Sequence, residues 1–220
     1  MSYDEDGEDD GAAEDRRRLV DSLVERGYIE TDTVEAAMRT VPREEFVPES
    51  ARGRAYQDSP LSIGEGQTIS APHMVAMITE RLDLRAGDKV LEVGTGRGYH
   101  AAVVAEVVGA ENVYTVEYQE KLAREARENL PDGVTVVTGD GSKGLPAHAP
   151  YDRIYLTCAA PDVPGFLDEQ LRDGGRAVLP VQRGGVQHLT TVDKNEEDGE
   201  LVVDEGEPVR FVRLVGDEGF

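Results

Sequence analysis

The sequence predicts a doubly wound α/β sheet, and three observations predict it. Short apolar strands alternate with helical segments from residue 88 onward, one of those strands runs straight into a glycine-rich turn, and the last strand-like segments have no helix between them. Strands alternating with helices at this interval mean βαβ units and a parallel sheet covered on both faces. The closing segments predict an antiparallel end to that sheet. The glycine turn falls at the carboxyl end of a strand, where open α/β sheets hold their ligands.

The elements follow in order. Residues 1–15 carry eight acids and no base, a self-repelling composition that predicts a disordered tail. Residues 16–26 (RRRLVDSLVER) place Leu19, Val20, Leu23 and Val24 at helical spacing, with Gly27 as the stop. A second helix is expected over 33–40, closing on Val41-Pro42, and a polar, glycine-bearing stretch runs from Tyr56 to Gln67. Residues 16–70 thus read as a helical cap followed by a loop. Ser70 is then suited to cap a helix carrying Met74, Val75, Met77, Ile78 and Leu82, with Pro72 tolerated in its first turn.

In the remaining unit, 71–220, strands are expected at 89–93, 112–116, 134–138, 153–157 and 176–181. Helices are expected at 99–108, 119–130 and 164–171. The helix-free ending holds strands at 187–192, 201–203 and 209–214. No internal repeat of 20–50 residues is visible.

Charge narrows the function. With 45 acids against 23 bases, the net charge is −22, which argues against a grip on nucleic acid by phosphate neutralisation. No apolar run approaches the ~20 residues of a membrane span, and the acidic opening is not that of a secretory signal. Cys158 stands alone, which excludes an intramolecular disulfide and favours a reducing, cytoplasmic location. Only four of the 23 bases are lysine. An acidic, lysine-poor surface over an ordinary apolar pattern suits concentrated salt, where the Debye length shrinks to ~3 Å at 1 M; a halophilic cytosol is expected. His73, His100, His148 and His188 show no metal-ligand spacing, so no metal is expected.

The chemistry centres on Leu91-Glu92-Val93-Gly94-Thr95-Gly96-Arg97-Gly98. A dinucleotide fingerprint wants Gly or Ala where Tyr99 stands; the turn instead suits S-adenosylmethionine, whose amino-acid end carries no pyrophosphate. Glu117, at the end of the next strand, can accept from both hydroxyls of a ribose lying across the strand tips. Asp140, between Gly139 and Gly141, has room to accept from an adenine amino group, although an Asp beside Gly is also a common turn former.

A family resemblance joins these features. Residues 41–48 (VPREEFVP), 62–74 (SIGEGQTISAPHM), the glycine turn, Gly139-Asp140-Gly141, 159–164 (AAPDVP) and Gly174-Gly175-Arg176 resemble protein-L-isoaspartate O-methyltransferases, in the family's order, over roughly 16–215. The resemblance implies a Rossmann-like methyltransferase sheet and methyl transfer from S-adenosylmethionine to isoaspartyl carboxylates of damaged proteins, after which the ester collapses to a succinimide. It places Ser70 as the active-site serine, with Thr68 and Ile69 beside it. Glu92, Gly94, Thr95 and Gly96 fall at the methionine end, Glu117 and Tyr118 at the ribose, and Asp140 and Gly141 on the adenine side. Partners are then isoaspartyl peptides and proteins, with a monomer as the expected form. A same-fold methyltransferase acting on a small molecule or RNA, or a cofactor-binding module without turnover, stays open at this point. The chain departs from the family at Arg97 and His100, where Ser and Gln are usual, and at Arg213, where Pro is common. Arg97 is expected to point outward from the sulfonium site.

An isoaspartyl carboxylate is ionised at neutral pH, so no general base is needed. The site has only to desolvate and aim it. Ser70 suits that task as a neutral donor and not as a nucleophile.

Overall fold

The computed structural model describes residues 6–220. Residues 1–5 of the expected tail lie outside the described residues. The rest of that tail is a correction: helix α1 runs Asp6–Glu25, starting ten residues before the expected helix. Within it Glu14 pairs with Arg17 and Arg18, and Asp15 with Arg18, at the three- and four-residue spacings that support a helix. Helix α2 (Asp32–Thr40) is capped by Thr31, whose side chain accepts from the Val34 N–H.

The polar stretch expected to be loop contains a hairpin, β1 (Leu61–Gly64) and β2 (Gln67–Ile69). Its turn places Gly64, Glu65 and Gly66 all at positive φ. Helix α3 (Pro72–Arg81) follows, but Ser70 does not cap it: Ala71 is the N-cap residue and offers no side-chain bond. Pro72 brings no N–H to cap, and the next free donor, His73 N–H, is taken by Asp58 Oδ1 at 3.0 Å.

The main sheet contains β3 (Val90–Val93), β4 (Val113–Glu117), β5 (Thr135–Thr138), β6 (Tyr151–Leu156), β7 (Leu171–Arg183), β8 (Val186–Lys194) and β9 (Leu201–Val209). Helices α4 (Tyr99–Val108), α5 (Glu120–Asn129) and α6 (Phe166–Gln170) supply the crossovers. Strand order is β5-β4-β3-β6-β7-β8-β9, parallel from β5 to β7 and antiparallel from β7 to β9. The winding reverses between β3 and β6, so a crevice opens at the carboxyl ends of those two strands.

The expected strand over 209–214 is not formed. The sheet ends with β9, and the chain then crosses toward the crevice, where Ala159 N–H donates to the Val212 carbonyl at 2.7 Å and Leu214 N–H to Ala159 at 2.8 Å.

The cap shares its core with the main unit: Leu23, Met38, Phe46 and Ile63 pack in one cluster with Val103 of α4 and Leu122 of α5. At the opposite end of the sheet Arg153 donates to the carbonyls of Leu82 (2.6 Å) and Asp83 (3.0 Å), and Arg176 holds Asp193 at 2.6 Å. None of the described helices is long and apolar enough to cross a membrane.

Candidate active site

The site is assembled where β3 delivers its carboxyl end into the glycine turn. Gly94 sits at φ +100°, and a Cβ there would fall 2.3 Å from Thr157 Oγ1, so backbone strain and the adjoining strand both demand glycine. The turn's own amides are not left free for a phosphate: Gly96 N–H donates to Glu117 Oε2 at 2.8 Å. Gln119 N–H donates to the other oxygen at 2.8 Å. Each carboxylate oxygen keeps a second lone pair. Burial raises the Glu117 carboxyl above its ordinary value while those N–H groups pull it down.

Beneath the turn lies a buried hydroxyl chain. Thr115 donates to Glu92 Oε2 at 2.6 Å and Tyr155 to Glu92 Oε1 at 2.9 Å. Thr115 has spent its one proton, so Thr95, 2.5 Å away, donates to it. Glu92 is fully buried, and that desolvation, together with the neighbouring Glu117 charge, pushes its carboxyl up to about 7 against the two hydroxyls.

Two contiguous chambers result. The outer cleft encloses about 570 Å³ including its mouth, with Ile63, Val116, Glu117, Tyr118, Gly141 and Leu214 on its walls. The inner chamber, about 340 Å³, lies under Thr68, Ile69 and Ser70 and reaches Glu92, Thr95 and His100. Gly94, Gly96 and Thr68 border both. Ser70 is half-buried, and its hydroxyl has no protein partner among the described residues. Its carbonyl is fixed by Arg43, a fully buried guanidinium that also holds the carbonyls of Ala55 and Ser59, at 2.9, 2.8 and 3.2 Å respectively. That cation has no carboxylate partner among the described residues and lies 5.2 Å from the Tyr99 ring centre.

Of the residues singled out from sequence, Thr68, Ile69, Ser70, Glu92, Gly94, Thr95, Gly96, Glu117, Tyr118 and Gly141 border these chambers. Asp140 does not. Its oxygens accept from the Ser142 and Asp217 N–H groups, each at 2.8 Å. Desolvation opposes ionisation there, but these bonds and Lys143 hold the carboxyl below its usual range. Asp140 therefore latches the chain at Asp217, just past the segment 212–215 that walls the outer cleft. Arg97 does not project to solvent as expected: it pairs with Glu125 of α5 at 2.7 Å and borders the inner chamber. Cys158 lies on the outer wall, and burial pushes its thiol up to about 12, which makes it inert at neutral pH. Sequence reasoning also missed Ile63, Arg43 and Val212–Val215, because each reaches the site through tertiary contacts alone.

Residues 14–219 match the family model described as protein-L-isoaspartate(D-aspartate) O-methyltransferase. The chain belongs to that family. A protein-L-isoaspartate O-methyltransferase of Methanopyrus kandleri is 56% identical over 211 residues, covering 93% of both chains. One of Hyperthermus butylicus is 53% identical over 220 residues, covering 94% of this chain and 91% of its own. Among solved structures, a protein-L-isoaspartate O-methyltransferase aligns over 93% of this chain and 67% of its own, at a TM-score of 0.84 and 33% identity. A putative family member from Plasmodium falciparum, in complex with S-adenosyl-L-homocysteine, aligns over 91% of this chain and 98% of its own, at a TM-score of 0.81 and 26% identity.

Proposed function

We propose that this chain is an S-adenosylmethionine-dependent carboxyl methyltransferase that esterifies the free carboxylate of isoaspartyl residues in proteins. The observation that carries the reading is the joining of two chambers: one lined for a nucleoside without phosphate, the other roofed by a neutral serine. The fit to the cofactor rests on the donor set. Glu117 offers two acceptor positions for ribose hydroxyls, Ile63, Val116 and Leu214 form an apolar slot, and the Gly96 amide is already committed to Glu117. A pyrophosphate would find few free amides at that turn.

When bound, S-adenosylmethionine supplies an electrophilic methyl group on a cationic sulfur. The protein's part is positional. Ser70 Oγ–H donates to one oxygen of the substrate carboxylate and leaves the other oxygen as the attacking atom. Thr68 and Ile69 flank the path. Arg43 fixes the Ser70 backbone so that the hydroxyl is held in place before substrate arrives. No side chain removes a proton, because the nucleophile is ionised at neutral pH. Ile63 and Ile69 exclude water, which strengthens the carboxylate as a nucleophile.

The net charge of −22 and the scarcity of lysine support a monomeric protein of a salty cytoplasm that works on polypeptides and not on nucleic acid or membrane. The deciding assay is transfer of labelled methyl groups. Base-labile incorporation into an isoaspartyl peptide, and none into its normal aspartyl counterpart, is the expected result. Base-stable label in RNA or in a small molecule, or cofactor binding with no transfer to any acceptor, would overturn the reading.

A further inference from the structure

Three buried side-chain polar atoms among the described residues have no hydrogen-bond partner: Arg97 Nε, His100 Nδ1 and Glu207 Oε1. Two of the three belong to residues bordering one space, the inner chamber beside Glu92. We infer that Arg97 and His100 form a zwitterion site: His100 Nδ1, with Glu92, takes the ammonium group at the amino-acid end of the cofactor, and Arg97 Nε takes its carboxylate. The inference rests on the cofactor reading above and assigns it two residues.

The polarity of each atom follows from its neighbours. His100 Nε2 lies 3.1 Å from Thr79 Oγ1. That hydroxyl has one proton, directed 2.8 Å to the Val75 carbonyl one turn back in α3. The oxygen can then only accept, so the imidazole proton sits on Nε2 and Nδ1 is a bare lone pair. Burial keeps the ring neutral, so it remains an acceptor across the working pH range. Tyr155 packs against the ring, tilted at 45° with centroids 4.4 Å apart, and also donates to Glu92, which fixes the two acceptors relative to each other. The donors nearest Glu92 are already spent on the chain Thr95, Thr115, Glu92, so this corner presents acceptors and repels a carboxylate.

Arg97 supplies the opposite polarity. One arm of its guanidinium is held by Glu125 at 2.7 Å, while Nε is buried, unpaired and able only to donate. An acceptor pair and a lone donor on residues that border one chamber complement a free amino acid's ammonium and carboxylate. They do not complement a phosphate, which would leave His100 facing negative charge, or an apolar group, which would leave both atoms unpaired.

The test is calorimetric binding of S-adenosylhomocysteine, its deaminated and decarboxylated analogues, and methylthioadenosine, which lacks the amino-acid end. His100→Leu should weaken S-adenosylhomocysteine and the decarboxylated analogue about tenfold or more, and leave the deaminated analogue unchanged. Arg97→Met should weaken S-adenosylhomocysteine and the deaminated analogue, and spare the decarboxylated one. Methylthioadenosine should bind both variants as it binds the parent. Equal losses across all four ligands, or no loss in any, overturn the inference. Should either variant fold poorly, ¹⁵N NMR of the unmodified protein decides the His100 arm, with a protonated Nδ1 overturning it; Arg97→Gln, which keeps a donor, decides the other by retaining or losing the same selectivity. The two readings fail separately. A parent protein that binds none of the four ligands sinks the cofactor reading itself, whereas tight binding without selective losses sinks only the zwitterion site.

Discussion

Replacing Glu92 by Gln should stabilise the empty protein while damaging the site. The carboxyl is buried on β3 and pushed up to about 7, whereas an exposed glutamate ionises near 4.5. Between those values the native state holds a proton that the unfolded chain has already released. Stability therefore falls as pH rises through that window. The full penalty, reached above pH 7, is about 2.5 pKa units at ~1.36 kcal/mol each, or between about 3 and 4 kcal/mol. The Glu92→Gln variant avoids it. Tyr155 can still donate to the amide oxygen, but the Thr115 hydroxyl must turn to face an amide donor, at a cost of about 1 kcal/mol. The net gain at pH 8 is then about 2 kcal/mol, roughly 4–8 °C in Tm for a chain of this size; it shrinks as pH falls and reverses sign toward pH 4.5, where the Thr115 cost outweighs the remaining penalty. Urea melts of parent and variant from pH 4.5 to 8.5 measure it directly, and calorimetry should show weaker S-adenosylhomocysteine binding by the variant. A variant less stable than the parent at pH 8, or a parent whose stability is flat from pH 4.5 to 7, would refute the argument that Glu92 is destabilised by burial for the sake of a cation.

Ser70→Ala removes the only side-chain donor assigned to the substrate carboxylate and touches no described hydrogen bond, so kcat should fall ten- to a hundredfold with S-adenosylhomocysteine affinity unchanged; full turnover in that variant would exclude the orienting role. Gly216→Ala places a Cβ 2.0 Å from Asp140 Oδ1 at a backbone φ of +134°, which should spring the latch just past residues 212–215 and raise the Kd for the cofactor several-fold, an effect measurable by calorimetry and absent if that wall is not needed. The surface acids lead us to expect a Tm that climbs steeply from dilute buffer to molar KCl; equal melting in both would remove the salt-adaptation reading.

The legible parts of this molecule were those set by local sequence. Alternation and helical spacing located β3, α4, β4 and α5 to within a residue or two, because each buries a regular apolar face. The glycine turn was legible for the same reason, as a strand end that must bend sharply. What local pattern could not reveal was a partner far along the chain. Asp140 reads locally as a turn residue with a free carboxylate, and nothing near it in sequence shows that Asp217, 77 residues later, donates to one of its oxygens. Ser70 looks like a helix cap until Asp58 supplies that bond from the preceding loop. The alternation of Val209 and Phe211 suggests a strand over 209–214, yet the last sheet position is filled by 201–209, and the rest of that segment crosses to the sheet's end, where it pairs with Ala159. His100 and Arg97 stood out only as departures from the family. Their unpaired atoms become visible once Thr79 and Glu125 are brought against them.

The Arg43 clamp also has an electrostatic consequence. A molecule of charge −22 surrounds itself with a repulsive potential, but most of that potential arises from carboxylates in contact with solvent ions. The guanidinium behind Ser70 is sealed from those ions. As salt thickens the counterion atmosphere, the outer field collapses over a few ångströms while the inner one persists. Raising the salt should therefore make the site easier for a carboxylate to find, seen as a KM for an anionic isoaspartyl peptide that falls with ionic strength; a flat or rising KM would remove this reading.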